Sequence, residues 1–138
     1  MKFRQVEFTA SFLNGKDRTM KGYKVLDEEG NDLAPGWVVH KRLPIPHRAD
    51  GWILTHVPTG FAANEKAADS TRKRSAKRLL MLMNIIPESY RWTHFEDTKS
   101  LTEEEHGEVL EVLLADDEVV DNAWELMLDK YLISGRGM

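Results

Sequence analysis

The apolar residues of this chain change their spacing near its middle, and that change constrains the fold more than any other feature. Through residue 63 they recur at every second position or in short runs, whereas from residue 76 they recur three and four apart. The first spacing belongs to strands with one wet face and the second to helices with one buried face. In residues 4–12, Val6, Phe8, Ala10 and Phe12 alternate with Gln5, Glu7, Thr9 and Ser11. Asn14-Gly15 follows, suited to the positive φ angles of a tight hairpin. A second strand is expected over residues 20–26, with Met20 and Val25 as apolar members and Tyr23 between them. Residues 27–32 (DEEGND) supply turn chemistry. Trp37-Val38-Val39 opens a third strand, closed before Pro44 and Pro46, which hold residues 43–47 extended. Residues 51–57 read as a fourth strand, and Phe61-Ala62-Ala63 as a short fifth. The simplest arrangement is an antiparallel meander of four or five strands.

In the second half, Ala76, Leu79, Leu80 and Met83 mark the buried face of a helix over residues 70–86. Asp69, Ser70 or Thr71 can cap its start, and Pro87 forbids its continuation. Met81, Leu82 and Ile85 make its last turns apolar nearly all round, which predicts a deep position against the sheet. Residues 87–95 are aromatic-rich and irregular. Thr102 with Glu105 forms a capping box, Leu101 is placed as a hydrophobic staple, and the helix they open is expected to bury Val109, Leu110 and Leu113. Asp116-Asp117 interrupts it, and a third helix follows with Val120, Ala123, Trp124, Met127 and Tyr131 on one stripe. So short a link folds the last two helices back as an antiparallel pair. Residues 134–138 are expected to fray. The fold class is therefore α+β: a meander sheet on one central helix, then a helical pair. The 138 residues form a single domain, with a β-rich part (1–64), a basic helix and connector (65–95) and an acidic pair (96–138).

Charge divides along the same lines. Residues 1–60 carry 9 Lys/Arg against 7 Asp/Glu, residues 61–95 carry 7 against 3, and residues 96–138 carry 3 against 13. The net charge of −4 conceals this separation. There is no cysteine, which excludes disulfides and thiolate-ligated metals. No apolar run approaches the length of a membrane span, and the N-terminus lacks the apolar core of a secretory signal, so a cytoplasmic location is expected.

Motifs for catalysis are missing: no phosphate-binding glycine loop, no nucleophile elbow, no zinc-protease helix. The chain is expected to be non-enzymatic and to need no cofactor or metal. His40, His47 and His56 lie within 17 residues, and if their strands pair, two of the rings could approach, and three imidazoles could hold zinc with Asp50 as a fourth ligand. The simpler expectation is that these rings bond to backbone or water.

Two surfaces remain. Arg72, Lys73, Arg74, Lys77 and Arg78 crowd the start of the central helix, and Lys73, Arg74, Lys77 and Arg78 fall off its apolar stripe, which predicts that they face solvent. With Lys41 and Arg42 they would bind nucleic acid or another phosphorylated ligand, and Trp37, Trp52 or Trp92 would supply stacking faces if exposed. Glu104, Glu108 and Glu111 form a ridge on the first late helix, and Glu118, Asp121 and Glu125 another on the next. Such a ridge is a solvated face, a docking strip for the basic helix, or a surface for a basic protein. The favoured expectation is a non-catalytic interaction protein whose acidic pair occupies a basic protein partner, inhibiting a nucleic-acid-handling protein in the manner of compact phage or mobile-element accessory proteins. Direct nucleic-acid binding through the basic helix is the alternative.

Overall fold

The computed structural model describes residues 1–11, 17–42, 51–59, 61–63, 68–88, 91–92 and 101–135. Five strands form one antiparallel sheet in chain order: β1 (Lys2–Ser11), β2 (Asp17–Leu26), β3 (Trp37–Lys41), β4 (Trp52–His56) and β5 (Phe61–Ala63). Three helices follow: α1 (Arg72–Ile85), α2 (Glu103–Leu114) and α3 (Asp117–Gly135). The expected meander and helical pair are both present. The hairpin of β1 and β2 pairs without interruption from Lys2↔Leu26 to Ser11↔Asp17. The predicted Asn14-Gly15 turn, Phe12 and the stretch 43–50 lie outside the described residues.

Register decides which side chains face α1. Tyr23 lies opposite Val39, Val39 opposite Leu54, and Trp37 opposite His56. Val25, Trp37, Val39 and Leu54 thus share the face that meets Ala76, Leu79, Leu80 and Met83 in the main core. Val38, His40, Ile53 and Thr55 alternate onto the other face and are also buried. Gly22 leaves tight space there: a Cβ would meet the Phe8 ring at 3.0 Å and the Val39 carbonyl at 3.2 Å.

Thr71 is the residue that caps α1, its hydroxyl accepting from the Arg74 amide at 3.1 Å. The Thr102–Glu105 capping box forms as expected, and Arg91 from the preceding turn donates to the Glu105 carboxylate. Asp116 caps α3 by accepting from the Val119 amide at 2.9 Å. α3 continues through Ser134 to Gly135, where fraying was expected. α1 is central: β3 and β4 lie on one side, while α2 and α3 also pack against it. Val109, Val120, Trp92 and Trp124 are buried, whereas Leu110, expected in the core, is 39% exposed. The side chains of Met127 and Tyr131 lie outside the described part. Among the described residues no helix is long and apolar enough to cross a membrane.

Candidate interaction surfaces

The basic run of α1 splits into two groups with opposite fates. Arg78, expected in solvent, is only 2% exposed. Its Nε and Nη2 donate to the two carboxylate oxygens of Asp69 at 3.1 and 2.8 Å, and Asp69 is itself buried. Its Nη1 donates to the carbonyls of Val112 and Ala115, the latter at 2.9 Å. Those carbonyls belong to the end of α2, where a helix leaves acceptors unpaired and carries partial negative charge. Asp69 in turn is fixed by a backbone bridge to Trp52 of β4. One guanidinium therefore ties the sheet, α1 and the end of α2 together, and its donors are committed inside the protein. The solvent-facing expectation fails because α1 has packed neighbours on two sides, so a residue off the first apolar stripe meets the second.

Arg74 and Lys77 are engaged too, though nearer the surface. Arg74 lies 3.3 Å from Asp117 and 3.1 Å from Asp121, and Lys77 lies 3.3 Å from Asp121. The Arg74 hydrogen bond holds the Asp121 carboxyl below its ordinary value, with Lys77 adding to the effect, and the same bond raises Arg74. The acidic helices and the basic helix thus exchange side-chain ion pairs here, as Arg91 and Glu105 do at the start of α2. Asp121 belongs to an intramolecular clasp and is not an open part of the acidic ridge.

The remaining members of each set stay outside. Glu104, Glu108, Glu111, Glu118 and Glu125 are exposed, and among the described residues none has a cationic partner. Interspersed with them are Leu110, Leu114, Val119 and Leu126, at 39%, 79%, 51% and 87% exposure. These are the exposed large hydrophobics among the described residues, and all four lie on α2 or α3. Leu110 and Leu114 are one turn apart on α2, Val119 and Leu126 two turns apart on one side of α3. Charge spacing pointed to the carboxylates, but the leucines were missed. Leu114 falls just before the Ala115-Asp116 link, where the helix ends before its apolar face can be covered.

On the basic side, Arg72 and Lys73 have no carboxylate partner among the described residues. The Arg72 guanidinium lies 4.3 Å from the Phe3 ring centroid and 4.5 Å from that of Tyr23. Lys41 lies over Trp52 at 5.8 Å, and Arg42 sits at the end of β3, its amide bonded to the Gly51 carbonyl. Of the three tryptophans considered for stacking, Trp37 and Trp92 are buried in edge contact, and Trp52 is half-exposed.

Register removes the approach of His40 and His56 that the zinc alternative required. His40 lies opposite Ile53 and His56 opposite Trp37, so pairing of β3 with β4 places the two rings on opposite faces of the sheet. His47 and Asp50 lie outside the described residues. His40 Nδ1 meets the Lys41 carbonyl at 3.0 Å and so carries the proton, while Nε2 accepts from the Thr55 hydroxyl at 2.7 Å. Burial lowers the His40 pKa below its ordinary value, and burial also lowers that of His56. Among the described residues no group of three histidines or carboxylates is placed to hold a metal.

No family model, curated protein or solved structure matches this chain.

Proposed function

We propose that this chain is a protein-interaction module whose outer α2–α3 surface binds a basic, partly apolar protein partner. The observation that supports it is a coincidence on two helices: the exposed large hydrophobics of the described structure stand among five carboxylates without cationic partners. Leu114 and Leu126 are 79% and 87% exposed, and exposed apolar residues rimmed by polar ones mark interaction sites where they join into one patch. A second copy is a poor occupant, because it would bring like charges together. Basic nucleic-acid-handling proteins carry the complementary charge, and covering such a surface would inhibit them. Direct phosphate binding through the whole basic helix is disfavoured, since Arg74, Lys77 and Arg78 are each paired with a carboxylate.

Affinity capture with the full chain, with and without nuclease, tests the proposal against two variants. Glu108→Lys with Glu125→Lys reverses charge on both helices, and Leu114→Ser with Leu126→Ser removes the apolar contacts. A bound protein that survives nuclease and is lost with either variant supports the reading. Capture that is unchanged in both variants, or abolished by nuclease, overturns it.

A further inference from the structure

A second surface stands on a different observation: Arg72 of α1 and Lys41 of β3, neither with a carboxylate partner among the described residues, lie against a row of half-buried aromatic rings. We propose that Phe3, Tyr23 and Trp52, with Arg72 and Lys41 against them and Lys73 next along α1, bind single-stranded nucleic acid at the rim of the sheet beside the start of α1.

Register puts the components together. Phe3 lies opposite Val25 and Tyr23 opposite Val39, while Trp52 lies opposite Lys41. Val25 and Val39 are core residues facing α1, so the three rings share their face. The Phe3 and Tyr23 centroids are 6.4 Å apart, and those of Tyr23 and Trp52 are 6.0 Å apart. The row therefore crosses β1, β2 and β4 beside the start of α1. Each ring is only partly buried, Phe3 and Trp52 packing at the edge of the core. Further along the same face, Glu7 lies opposite Lys21.

The cations have the right commitments. Arg72 rests against the Phe3 and Tyr23 rings, which orients it while its N–H donors have no acceptor among the described residues. A guanidinium held in this way presents donors to a phosphate at reduced entropic cost. Lys73 and Lys41 are exposed and likewise have no carboxylate partner among the described residues. Within α1, then, Arg74, Lys77 and Arg78 are paired with carboxylates, and Arg72, which rests on the rings, is not.

Ring orientation selects the strand state. Phe3 and Tyr23 are 84° apart in plane, Tyr23 and Trp52 54° apart, so a continuous base stack cannot lie flat on successive rings. Splayed bases of a single strand can meet such rings one at a time, with phosphates reaching the cations between them. A duplex would offer this surface its phosphates only, and the rings would add nothing.

The test is fluorescence anisotropy of the full chain with a labelled oligothymidylate of about 15 nucleotides, the upper range of known site sizes. The same strand in duplex and inorganic polyphosphate serve as competitors. Three phosphate contacts on a single strand predict a slope of log affinity against log salt of roughly −2, reduced to roughly −1.4 in Arg72→Gln. Tyr23→Leu should weaken binding roughly tenfold and leave the slope unchanged. Lys73→Gln, on an exposed side chain, tests the charge without touching the core. Arg4→Gln, on the opposite sheet face, should change nothing. Thermal melting of each variant separates lost binding from lost folding. Absence of binding at low salt overturns the proposal. So does equal competition by duplex or polyphosphate, or equal weakening by Arg4→Gln and Arg72→Gln.

Discussion

Arg78 and Arg74 sit one turn apart on the same helix, and each is paired with aspartate, yet their surroundings make them different kinds of interaction. The Arg78–Asp69 pair is sealed between the sheet, α1 and α2, with both partners buried. The Arg74–Asp121 pair lies at the rim, with both side chains partly in water. An exposed pair gains little because water competes for both ions. A buried pair gains little relative to apolar substitutes, but becomes indispensable once built, because removing one partner strands the other in a dry site. The comparison teaches that a run of like charges in a sequence can contain structural members and surface members, and that burial sorts them.

The largest effect expected follows from breaking the buried member. Arg78→Ala leaves Asp69 without its cation and the last carbonyls of α2 without a donor, and should cost about 3–5 kcal/mol. Asp69→Asn should be destabilising for the same reason, and denaturant unfolding measures both. A variant pair that loses less than 1 kcal/mol would place Arg78 in the same class as Arg74.

Gly51→Ala probes the same pair from behind. A Cβ there would come within 2.5 Å of the Ala68 Cβ, next to Asp69. The bridge between Trp52 and Asp69 would have to shift, and overpacking of this kind costs roughly 1–3 kcal/mol. If the cost arises through Asp69, Gly51→Ala should be less than additive with Arg78→Ala in a double-mutant cycle. Full additivity would separate the glycine from the ion pair.

α2 allows the comparison within a single helix, since one end carries a local capping box and the other is held by Arg78. Thr102→Ala removes the hydroxyl that accepts from the Glu105 amide and should cost about 1 kcal/mol. The Arg78 change at the far end should exceed it severalfold. Equal costs would show that the distant guanidinium does no more for the helix than a local cap.

The division between these groups was partly legible in the chain. The stripe Ala76, Leu79, Leu80 and Met83 named the face of α1 that meets the sheet, and Met81 and Leu82 showed that its end was apolar all round. Arg78 stands three and four residues before Met81 and Leu82, so it shares their side, and that spacing was the signal for its burial. It was outweighed by reading five cations in seven residues as one solvent face. Alternation assigned Val6 and Phe8 to one side of β1, and the capping box located α2 to the residue. Alternation could not place His40 and His56 relative to each other without the register of β3 on β4, because a shift of one residue exchanges the faces. Nor could periodicity expose Leu110, whose spacing fits a buried stripe as well as an open one. The exposure of such a residue depends on where α2 rests on α1, a tertiary fact with no local signature. Asp121 was equally ambiguous: it lay on the acidic ridge by count, and only the approach of α3 to α1 made it a clasp.

The smallest effect belongs to that clasp, and its dependence on pH and salt distinguishes it from the buried pair. The hydrogen bond from Arg74 holds the Asp121 carboxyl below its ordinary 3.8. A carboxylate whose folded value is depressed binds fewer protons folded than unfolded as the pH falls. Its contribution is therefore complete well above 3.8 and is lost as the pH drops through the lower folded value. Asp121→Asn should melt slightly below the parent chain at neutral pH, by less than Thr102→Ala. The gap should close on acidification below 3.8, while other titrating carboxylates, Glu105 among them, act on both proteins alike and cancel in the difference. Salt near 1 M, where screening extends over about 3 Å, should narrow the same gap at neutral pH. The deficit of Arg78→Ala should persist at that salt concentration, because its partners are shielded from mobile ions. A gap for Asp121→Asn that ignores both pH and salt would mean that Asp121 holds α3 through packing, and the contrast between rim and interior pairs would then fail at α1.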